Sequence, residues 1–252
     1  MLGHGEQPVA PEAEEKYLNW IRQRAEHIPL QQLTGEQGFM GLTFSVNEHV
    51  LIPRQDTEIL VEEVLKELHD GMRVLDMCTG SGCILLSLLH YSNDCEGLGV
   101  DLSAEALEVA GRNVLKVLTP EKAEHAHFLQ SDLFEKVEGK FEIIVSNPPY
   151  IASAEVEKLM PEVRDHEPRM ALDGTEDGLY FYRRIIEEAG KHLVSSGMLF
   201  FEIGYDQGQA VSELMRTEGY CEVQVVQDYA GLDRVVFGTY VTVQPAPFAK
   251  SR

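Results

Sequence analysis

The sequence predicts an α/β fold, with a doubly wound and mostly parallel sheet of seven strands and an antiparallel hairpin at its edge. Strand-like apolar runs alternate with helical runs after residue 71. This alternation is typical of a parallel sheet with helices on both faces. The last two strand-like runs follow one another with only a loop between them. Such a short connection joins antiparallel strands, so the final pair is predicted to form the edge hairpin.

Each helical run in the second part of the chain separates two strand-like runs, as parallel crossover connections require. The strand-like runs are Arg73–Asp76, Gly97–Asp101, His125–Leu129, Phe141–Ser146, Met198–Ile203, Glu222–Gln227 and Arg234–Val241. The helical runs are Cys83–Tyr91, Ala104–Leu118, Tyr180–Leu193 and Asp206–Glu218. We therefore assign residues 71–252 to one domain built around the sheet.

The first 28 residues are predicted to form a short helical segment. After a polar leader (residues 1–11), a helix is predicted from Pro11 to about His27, and Pro29 ends it. Its apolar positions lie on one helical face and are Tyr17, Leu18, Ile21 and Ala25.

Residues 29–70 are predicted to connect this segment to the sheet domain. A short hairpin is expected within residues 38–46, and a helix over Glu58–His69, whose apolar residues form a stripe. Asp56 or Thr57 is expected to cap this helix, because short polar side chains can accept a hydrogen bond from the first free N–H groups.

Charge and cysteine content exclude several classes of protein. The 252 residues include 42 acidic and 21 basic side chains, a formal net charge of −21, which disfavours nucleic acid and suits a basic protein partner. The chain has no apolar run approaching 18 residues and no signal-peptide pattern at its start, so we expect a soluble cytoplasmic protein. Its four cysteines form no CxxC pair, so neither a metal site nor a disulfide framework is expected.

A glycine-containing turn follows the first strand of the predicted sheet. In Asp76-Met-Cys-Thr-Gly-Ser-Gly82, the two glycines allow a tight turn and close approach of a ligand to the backbone. The next strand ends in Asp101, whose carboxylate can accept both hydroxyl groups of a ribose. Leu85 occupies the position of the third glycine in nicotinamide-binding turns, so this turn does not suit a pyrophosphate.

The motif Asn147-Pro-Pro-Tyr150 directly follows the strand Phe141–Ser146. Pro149 biases Pro148 away from the helical region. The Pro148 carbonyl and the Asn147 side-chain oxygen are therefore expected to point into a cleft beside the Tyr150 ring. Two acceptors beside a ring suit a planar NH2 group, such as a glutamine amide or the exocyclic amine of adenine. Taken alone, the motif could also be a proline-rich turn without such a role.

Together, these motifs resemble those of the protein-(glutamine-N5) methyltransferases that modify peptide chain release factors. The similarity extends from about Pro29 to Val241. Its matching stretches are Pro29–Gly35, Phe39–Phe44, Val50–Glu58, Asp76–Gly82, Asp101, Ser146–Ile151, Glu167–Leu172, Asp177–Leu179, Glu202–Gly204 and Asp233–Val236. The resemblance implies a Rossmann-like class I methyltransferase dependent on S-adenosylmethionine (AdoMet). The implied reaction is methylation of the glutamine side chain in the Gly-Gly-Gln motif of release factors, by a monomeric enzyme.

The motifs and the resemblance together give two sets of expected site residues. The cofactor would be bound by Asp76, Cys78, Thr79, Gly80, Ser81, Gly82, Asp101, Leu102, Asp132, Leu133, Phe134 and Asn147. The substrate would be bound by Arg54, Asn147, Pro148, Pro149 and Tyr150, with Asn147, Pro148 and Tyr150 in catalytic roles. Arg54 could instead brace its own loop. AdoMet has a ribose, an adenine and a methionine tail but no phosphate, which agrees with the turn. Asp76 is expected either to meet the methionine ammonium or to cap the turn, and Asp132 to accept from the adenine amine beside Phe134.

Three features depart from the pattern of the family. Cys78 stands where the first glycine of the turn is usual, and Thr175 stands where a second glycine is common. The part before Pro29 is shorter than the family's helical N-terminal domain, which helps to grip the release factor. Residues 1–28 are therefore predicted to be a remnant, a truncated form or a divergent start of that domain.

Other activities remain as alternatives at this point. An adenine-N6 methyltransferase on DNA or RNA shares the Asn-Pro-Pro-Tyr motif, but it needs a strand-binding surface that the charge disfavours. A ribosomal protein could instead supply the target glutamine. A non-catalytic AdoMet-binding protein and a nicotinamide oxidoreductase fit the motifs less well.

Overall fold

A computed structural model describes residues 8–241. Part of the predicted leader and the end of the predicted 71–252 domain therefore lie outside the described residues. The strands are β1 (Glu36–Phe39), β2 (Leu42–Ser45), β3 (Arg73–Met77), β4 (Glu96–Asp101), β5 (Ala126–Gln130), β6 (Phe141–Ser146), β7 (Leu193–Glu202), β8 (Tyr220–Gln227) and β9 (Asp233–Tyr240). The helices are α1 (Pro11–Ala25), α2 (Leu30–Thr34), α3 (Asp56–Glu67), α4 (Cys83–Tyr91), α5 (Ala104–Val117), α6 (Pro120–Ala123), α7 (Ser153–Val156), α8 (Pro161–Arg164), α9 (Tyr180–Ala189) and α10 (Gly208–Thr217).

The main sheet has seven strands in the order β5-β4-β3-β6-β7-β9-β8. Strands β3 to β7 are parallel, and β9 runs antiparallel between β7 and β8. The predicted doubly wound sheet and its antiparallel edge hairpin are therefore confirmed. Strands β1 and β2 form a separate antiparallel hairpin, as expected from residues 38–46.

Helices cover both faces of the sheet, and each face has its own apolar cluster. On one face α3 and α4 bury residues such as Leu60 and Leu85 against the sheet. On the other face α9 and α10 bury Ile185 and Met215. This burial explains the apolar stripes of the helices, because each helix has only one face toward the sheet.

The boundary between α9 and β7 differs from the predicted one. The sequence pattern extends the helix to Leu193, whereas the helix ends at Ala189 and Leu193 begins the ten-residue strand β7. Leu193 pairs with Phe141 of β6, and the Phe141 N–H donates to the His192 carbonyl at 2.8 Å. Pairing with a central strand thus overrides a helical pattern that continues past the helix end.

The start of α3 also differs from the prediction. Gln55 occupies the N-cap position and makes no side-chain capping bond, while Asp56 and Thr57 already lie in the first turn. The predicted capping role of Asp56 or Thr57 is therefore wrong. The Thr57 side chain is buried, only 2% exposed, and faces the interior of the molecule.

Helix α1 forms where the sequence predicts it but buries none of its residues. The side chains of its apolar face remain at least 46% exposed at Tyr17, Leu18 and Ile21. Helical periodicity therefore predicts the helix correctly, while within the described residues no element covers its apolar face.

Candidate active site

The carboxyl ends of β3, β4 and β6 lie side by side, because these parallel strands are direct neighbours in the sheet. The loops that leave them surround one cavity, as is usual for ligand sites of open α/β sheets. The predicted site residues that line it are Arg54, Cys78, Thr79, Gly80, Ser81, Asp101, Leu102, Asp132, Leu133, Asn147 and Pro149. The remaining predicted residues, Asp76, Gly82, Phe134, Pro148 and Tyr150, do not line this cavity.

The turn after β3 presents backbone to the cavity. Cys78, Gly80 and Gly82 all have left-handed backbone conformations, with φ values of 63°, 55° and 77°. A Cβ atom added at Gly80 would meet no atom within 4 Å, so this glycine faces open space. The Thr79 N–H donates to the Val100 carbonyl at 2.9 Å, which holds the turn against β4.

The Asp101 carboxylate is held in place by backbone N–H groups. One oxygen accepts from Gly80 and the other from Ser103, both at 2.9 Å. Burial raises the pKa of Asp101, and the hydrogen bonds from Ser103 and Gly80 lower it. A carboxylate oxygen can accept more than one hydrogen bond, so Asp101 can still accept the two hydroxyl groups of a ribose.

Asp76 lies beneath the turn and is fully buried. One oxygen accepts from the Thr79 hydroxyl at 2.6 Å and from the Leu85 N–H at 3.3 Å. The other oxygen accepts no hydrogen bond within residues 8–241. Burial raises the pKa of Asp76 to about 7. Of the two roles expected for Asp76, these bonds favour support of the turn.

Only some of the residues that follow β5 line the cavity. Asp132 and Leu133 line it, and Asp132 also forms an ion pair with Arg184 at 2.9 Å. Phe134 is buried in the core, where its ring stacks on His192 with centroids 4.8 Å apart. Phe134 is therefore packed in the core and does not line the cavity.

The loop from Asn147 to Tyr150 is fixed from several sides. The Asn147 side-chain nitrogen donates to the Thr57 hydroxyl oxygen at 3.4 Å. The Tyr150 hydroxyl donates to a carboxyl oxygen of the buried Glu202 at 3.3 Å, and Tyr150 does not line the cavity. The Gln207 side chain donates to the Tyr150 carbonyl at 3.0 Å.

Glycines of the following segment pack directly against this loop. A Cβ atom at Gly174 would lie 2.8 Å from the Tyr150 Cα and 2.9 Å from the Pro149 carbonyl oxygen. Thr175, next in sequence, has a φ of 70°, a conformation that favours glycine. The structure thus gives a physical reason for a second glycine at this position in the family pattern.

The buried carboxyl group of Glu202 lies behind the loop. Burial raises its pKa, and the Thr57 hydroxyl, the charge of Arg234 and the Tyr150 hydroxyl lower it. Its second oxygen has no partner of ordinary hydrogen-bond geometry within the described chain. Thr57, Tyr150 and Arg234 therefore all lower the pKa of one buried carboxyl group behind the Asn147 loop.

Arg54 joins the cavity to a loop that is distant in sequence. Its guanidinium donates to Glu167, whose side chain is only 1% exposed, and the Ile52 N–H donates to the same carboxylate at 3.1 Å. The segment after Glu167 contributes Pro168, Met170, Ala171 and Asp173 to the cavity wall. The Arg54–Glu167 pair thus fixes this part of the wall.

The sequence pattern does not single out Thr57, Glu167 and Glu202 as parts of the site. It predicts Thr57 as a possible helix cap, and the two glutamates occur only within stretches shared with the family. A polar residue within an apolar stretch could have indicated these positions, because a buried polar side chain needs a hydrogen-bond partner. Their partners lie far away in sequence and are visible only in the folded chain.

Neither a metal cluster nor a membrane-spanning helix is found in the part of the chain that the structure describes. No group of three or more histidine, cysteine, aspartate or glutamate side chains within residues 8–241 could hold a metal ion. No helix among these residues is long and apolar enough to cross a membrane.

Comparisons with known proteins agree with this geometry. The family model for the Methyltransferase small domain matches residues 54–163. The release factor glutamine methyltransferase of Clostridium acetobutylicum is 42% identical over 240 residues, covering 94% of this chain and 84% of that protein. The protein of the same name from Moorella thermoacetica is 44% identical over 238 residues, covering 93% and 83% of the two chains.

Solved structures of methyltransferases share the fold. A methyltransferase from Pyrococcus furiosus superimposes with a TM-score of 0.57 at 17% identity, covering 91% of this chain and all of that one. The Thermus thermophilus 16S rRNA N2 G1207 methyltransferase, solved with AdoMet and guanosine, superimposes with a TM-score of 0.54 at 19% identity. That match covers 81% of this chain and 49% of the other.

Proposed function

Because the chain belongs to the release factor glutamine methyltransferase family, we propose that it methylates the glutamine of the Gly-Gly-Gln motif in peptide chain release factors. The methyl group moves from the sulfonium of AdoMet to the side-chain amide nitrogen (N5), S-adenosylhomocysteine is the leaving group, and the amide nitrogen then loses one proton to water. The observation that most supports this proposal is that Asn147, Asp101 and the exposed backbone of the turn at Gly80 line the same cavity. We further assign the enzyme to the cytoplasm as a monomer, with a protein and not a nucleic acid as substrate.

The cavity residues suit AdoMet as cofactor. When bound, AdoMet supplies an electrophilic methyl group on a sulfonium. Asp101 would accept the ribose hydroxyl groups, and the turn from Cys78 to Ser81 would lie against the methionine tail. Leu102 and Leu133 would pack on the adenine, whose amine would donate to Asp132.

The Asn147 loop is assigned to the substrate glutamine. An amide nitrogen is a poor nucleophile, because its lone pair is delocalised into the carbonyl group. Pro148 lies between Asn147 and Pro149, which both line the cavity. The Asn147 side-chain oxygen and the Pro148 carbonyl would accept the two N–H groups of the substrate amide and favour the electron-rich nitrogen of the transition state. Pro149 would pack against the amide, Tyr150 would brace the loop, and Arg54 would line the entrance. Positioning of the two reactants supplies most of the rate enhancement in such a reaction.

The first test is transfer of labelled methyl from AdoMet to a purified bacterial release factor. A matched release factor with alanine in place of the Gly-Gly-Gln glutamine serves as control, and duplex DNA is tested in parallel. Label in the unaltered release factor alone is the expected result. Label in DNA would instead establish adenine methylation, and label in neither would exclude release factors as the substrate.

The same assay tests the role of Asn147. We expect Asn147→Ala to reduce kcat by at least about 100-fold, because one transition-state acceptor is lost. AdoMet binding, measured by calorimetry, should persist. The control is Asn93→Ala, which removes an exposed asparagine from the loop between α4 and β4 and should keep full activity. An Asn147→Ala variant with unreduced kcat would contradict the assignment.

A further inference from the structure

Asn147 can hold the substrate amide only in one orientation of its own side chain. Its oxygen must face the substrate, because the glutamine NH2 group offers hydrogen-bond donors. If the amide were rotated by 180°, two NH2 groups would face each other. Some feature of the protein must therefore determine the orientation of the Asn147 side chain.

The side chain that contacts the Asn147 nitrogen is Thr57. The nitrogen donates to the Thr57 hydroxyl oxygen at 3.4 Å, across 90 residues of sequence. Thr57 lies in the first turn of α3, is 2% exposed, and lines the same cavity as Asn147. A contact that uses the nitrogen on Thr57 leaves the oxygen for the substrate.

The surroundings of Thr57 favour its role as acceptor toward Asn147. A threonine hydroxyl has one proton to donate and two lone pairs. The Thr57 hydroxyl also acts on the Glu202 carboxyl group, one oxygen of which accepts from the Tyr150 hydroxyl. In its ionised form Glu202 only accepts, so a Thr57 proton directed toward it leaves the lone pairs of the hydroxyl for Asn147.

We propose that Thr57 is a positioning residue that fixes the Asn147 amide with its nitrogen on the Thr57 hydroxyl and its oxygen toward the substrate glutamine. This inference rests on the proposed function of the cavity. It goes beyond it by assigning a task to a residue of α3 that lies outside the Asn-Pro-Pro-Tyr motif. In this arrangement the sheet supplies the acceptor, and the helix before it determines the acceptor's orientation.

The kinetic test compares variants that differ by one hydroxyl group. Thr57→Val replaces the hydroxyl with a methyl group of similar size, and Thr57→Ser keeps the hydroxyl. Thr57→Ala and Thr57→Ser both lose the methyl group and differ by a single oxygen atom, so this second pair controls for altered packing. We expect Thr57→Val and Thr57→Ala to lower kcat at least 10-fold, with KM for the release factor and AdoMet affinity changed less than 3-fold. Thr57→Ser should stay within 3-fold of the wild type.

A loss of activity shared by Thr57→Ser and Thr57→Ala would indicate a packing role and overturn the proposal. Full activity of Thr57→Val would overturn it as well. Thermal denaturation of each variant shows whether it is folded. Should Thr57→Val fail to fold, the serine and alanine pair decides the question.

A second readout needs no substrate and separates this proposal from the proposed function. The Asn147 side-chain NH2 resonances can be assigned in a 15N-labelled sample by their loss in Asn147→Ala. We expect the resonance of the hydrogen-bonded proton to move upfield in Thr57→Val and to stay in place in Thr57→Ser. Unchanged resonances in Thr57→Val would overturn the contact, whether or not the release factor is methylated. Absence of methylation by the wild type would instead reject only the proposed function.

Discussion

At the scale of single residues, Cys78 and Thr175 show how the chain tolerates two departures from its family. Both have left-handed backbones, with φ values of 63° and 70°. That conformation costs a residue with a side chain about 1–2 kcal/mol, and glycine avoids the cost. The turn beside the cavity and the segment behind the Asn147 loop therefore keep a glycine-like conformation without glycine.

This strain predicts that Cys78→Gly and Thr175→Gly each raise the free energy of unfolding by up to about 1 kcal/mol. Glycine relieves the backbone strain of the folded state, which raises stability. It also increases the conformational entropy of the unfolded chain, which offsets part of this gain. Urea denaturation measures the change. Cys221→Gly, within strand β8, is the matched control and should lower stability by about 0.5–1 kcal/mol. If the substitutions at 78 and 175 destabilise as much as the control, the argument from strain is wrong.

At the scale of structural elements, the cavity wall depends on contacts between the first third of the chain and the segment between β6 and α9. Arg54 pairs with Glu167, the Gln32 side chain donates to the His166 carbonyl at 2.7 Å, and Arg24 pairs with Glu162 at 2.6 Å. The short helices of this segment are four residues long and cannot hold their positions alone. Contacts with the first third of the chain therefore hold this part of the cavity wall in place.

We expect Arg54→Met to lower the free energy of unfolding by about 1–2 kcal/mol, because it leaves the buried Glu167 charge without its cation. The value is modest since the Arg54 side chain is 40% exposed. The double variant Arg54→Met with Glu167→Gln also removes the charge, so part of the stability should return. Urea denaturation of both proteins measures the difference. A double variant less stable than Arg54→Met alone would refute the role of the buried charge.

At the scale of the whole molecule, buried carboxyl groups link folding to pH. Asp76 at the end of β3 has its pKa raised from 3.8 to about 7 by burial, and burial also raises the pKa of Glu202 at the end of β7. An acid with a raised pKa binds protons more tightly in the folded state. The stability that Asp76 contributes by binding this proton is complete below pH 3.8, its ordinary pKa. This stability is lost as the pH rises through about 7, its pKa in the folded state.

The prediction concerns Asp76→Asn, which cannot titrate. Relative to the wild type, this variant should gain about 2–3 kcal/mol of unfolding free energy between pH 5 and pH 8, at about 1.4 kcal/mol per pH unit up to pH 7. Urea denaturation without AdoMet at four pH values across this range gives the comparison. The difference between the two proteins, and not the absolute stability of either, is the test. Parallel pH profiles would show that Asp76 has an ordinary pKa.

Net charge acts on the same scale. The excess of 21 acidic side chains gives a negative field around the protein, which repels nucleic acid and attracts a basic partner. This agrees with a protein substrate and disfavours the adenine-N6 alternative.

Local sequence patterns are sufficient to predict the sheet, the order of its elements and the motifs at its carboxyl edge. Those features follow from local patterns: apolar periodicity predicts each strand and helix, and strand-end positions such as Asp101 and Asn147 meet because parallel neighbours end together. Helix α1 was predicted for the same reason, but its exposed apolar face was not, since periodicity does not show what covers a face.

Contacts between side chains that are distant in sequence become visible in the folded chain alone. The pairing of Leu193 with Phe141 set the end of α9, and burial turned Thr57 from an expected cap into the partner of Asn147, 90 residues away. Packing likewise placed Phe134 in the core and the Tyr150 hydroxyl on Glu202. The physical reason is that a hydrogen bond or a packing contact depends on distance in space, while a sequence pattern reports only on neighbours along the chain.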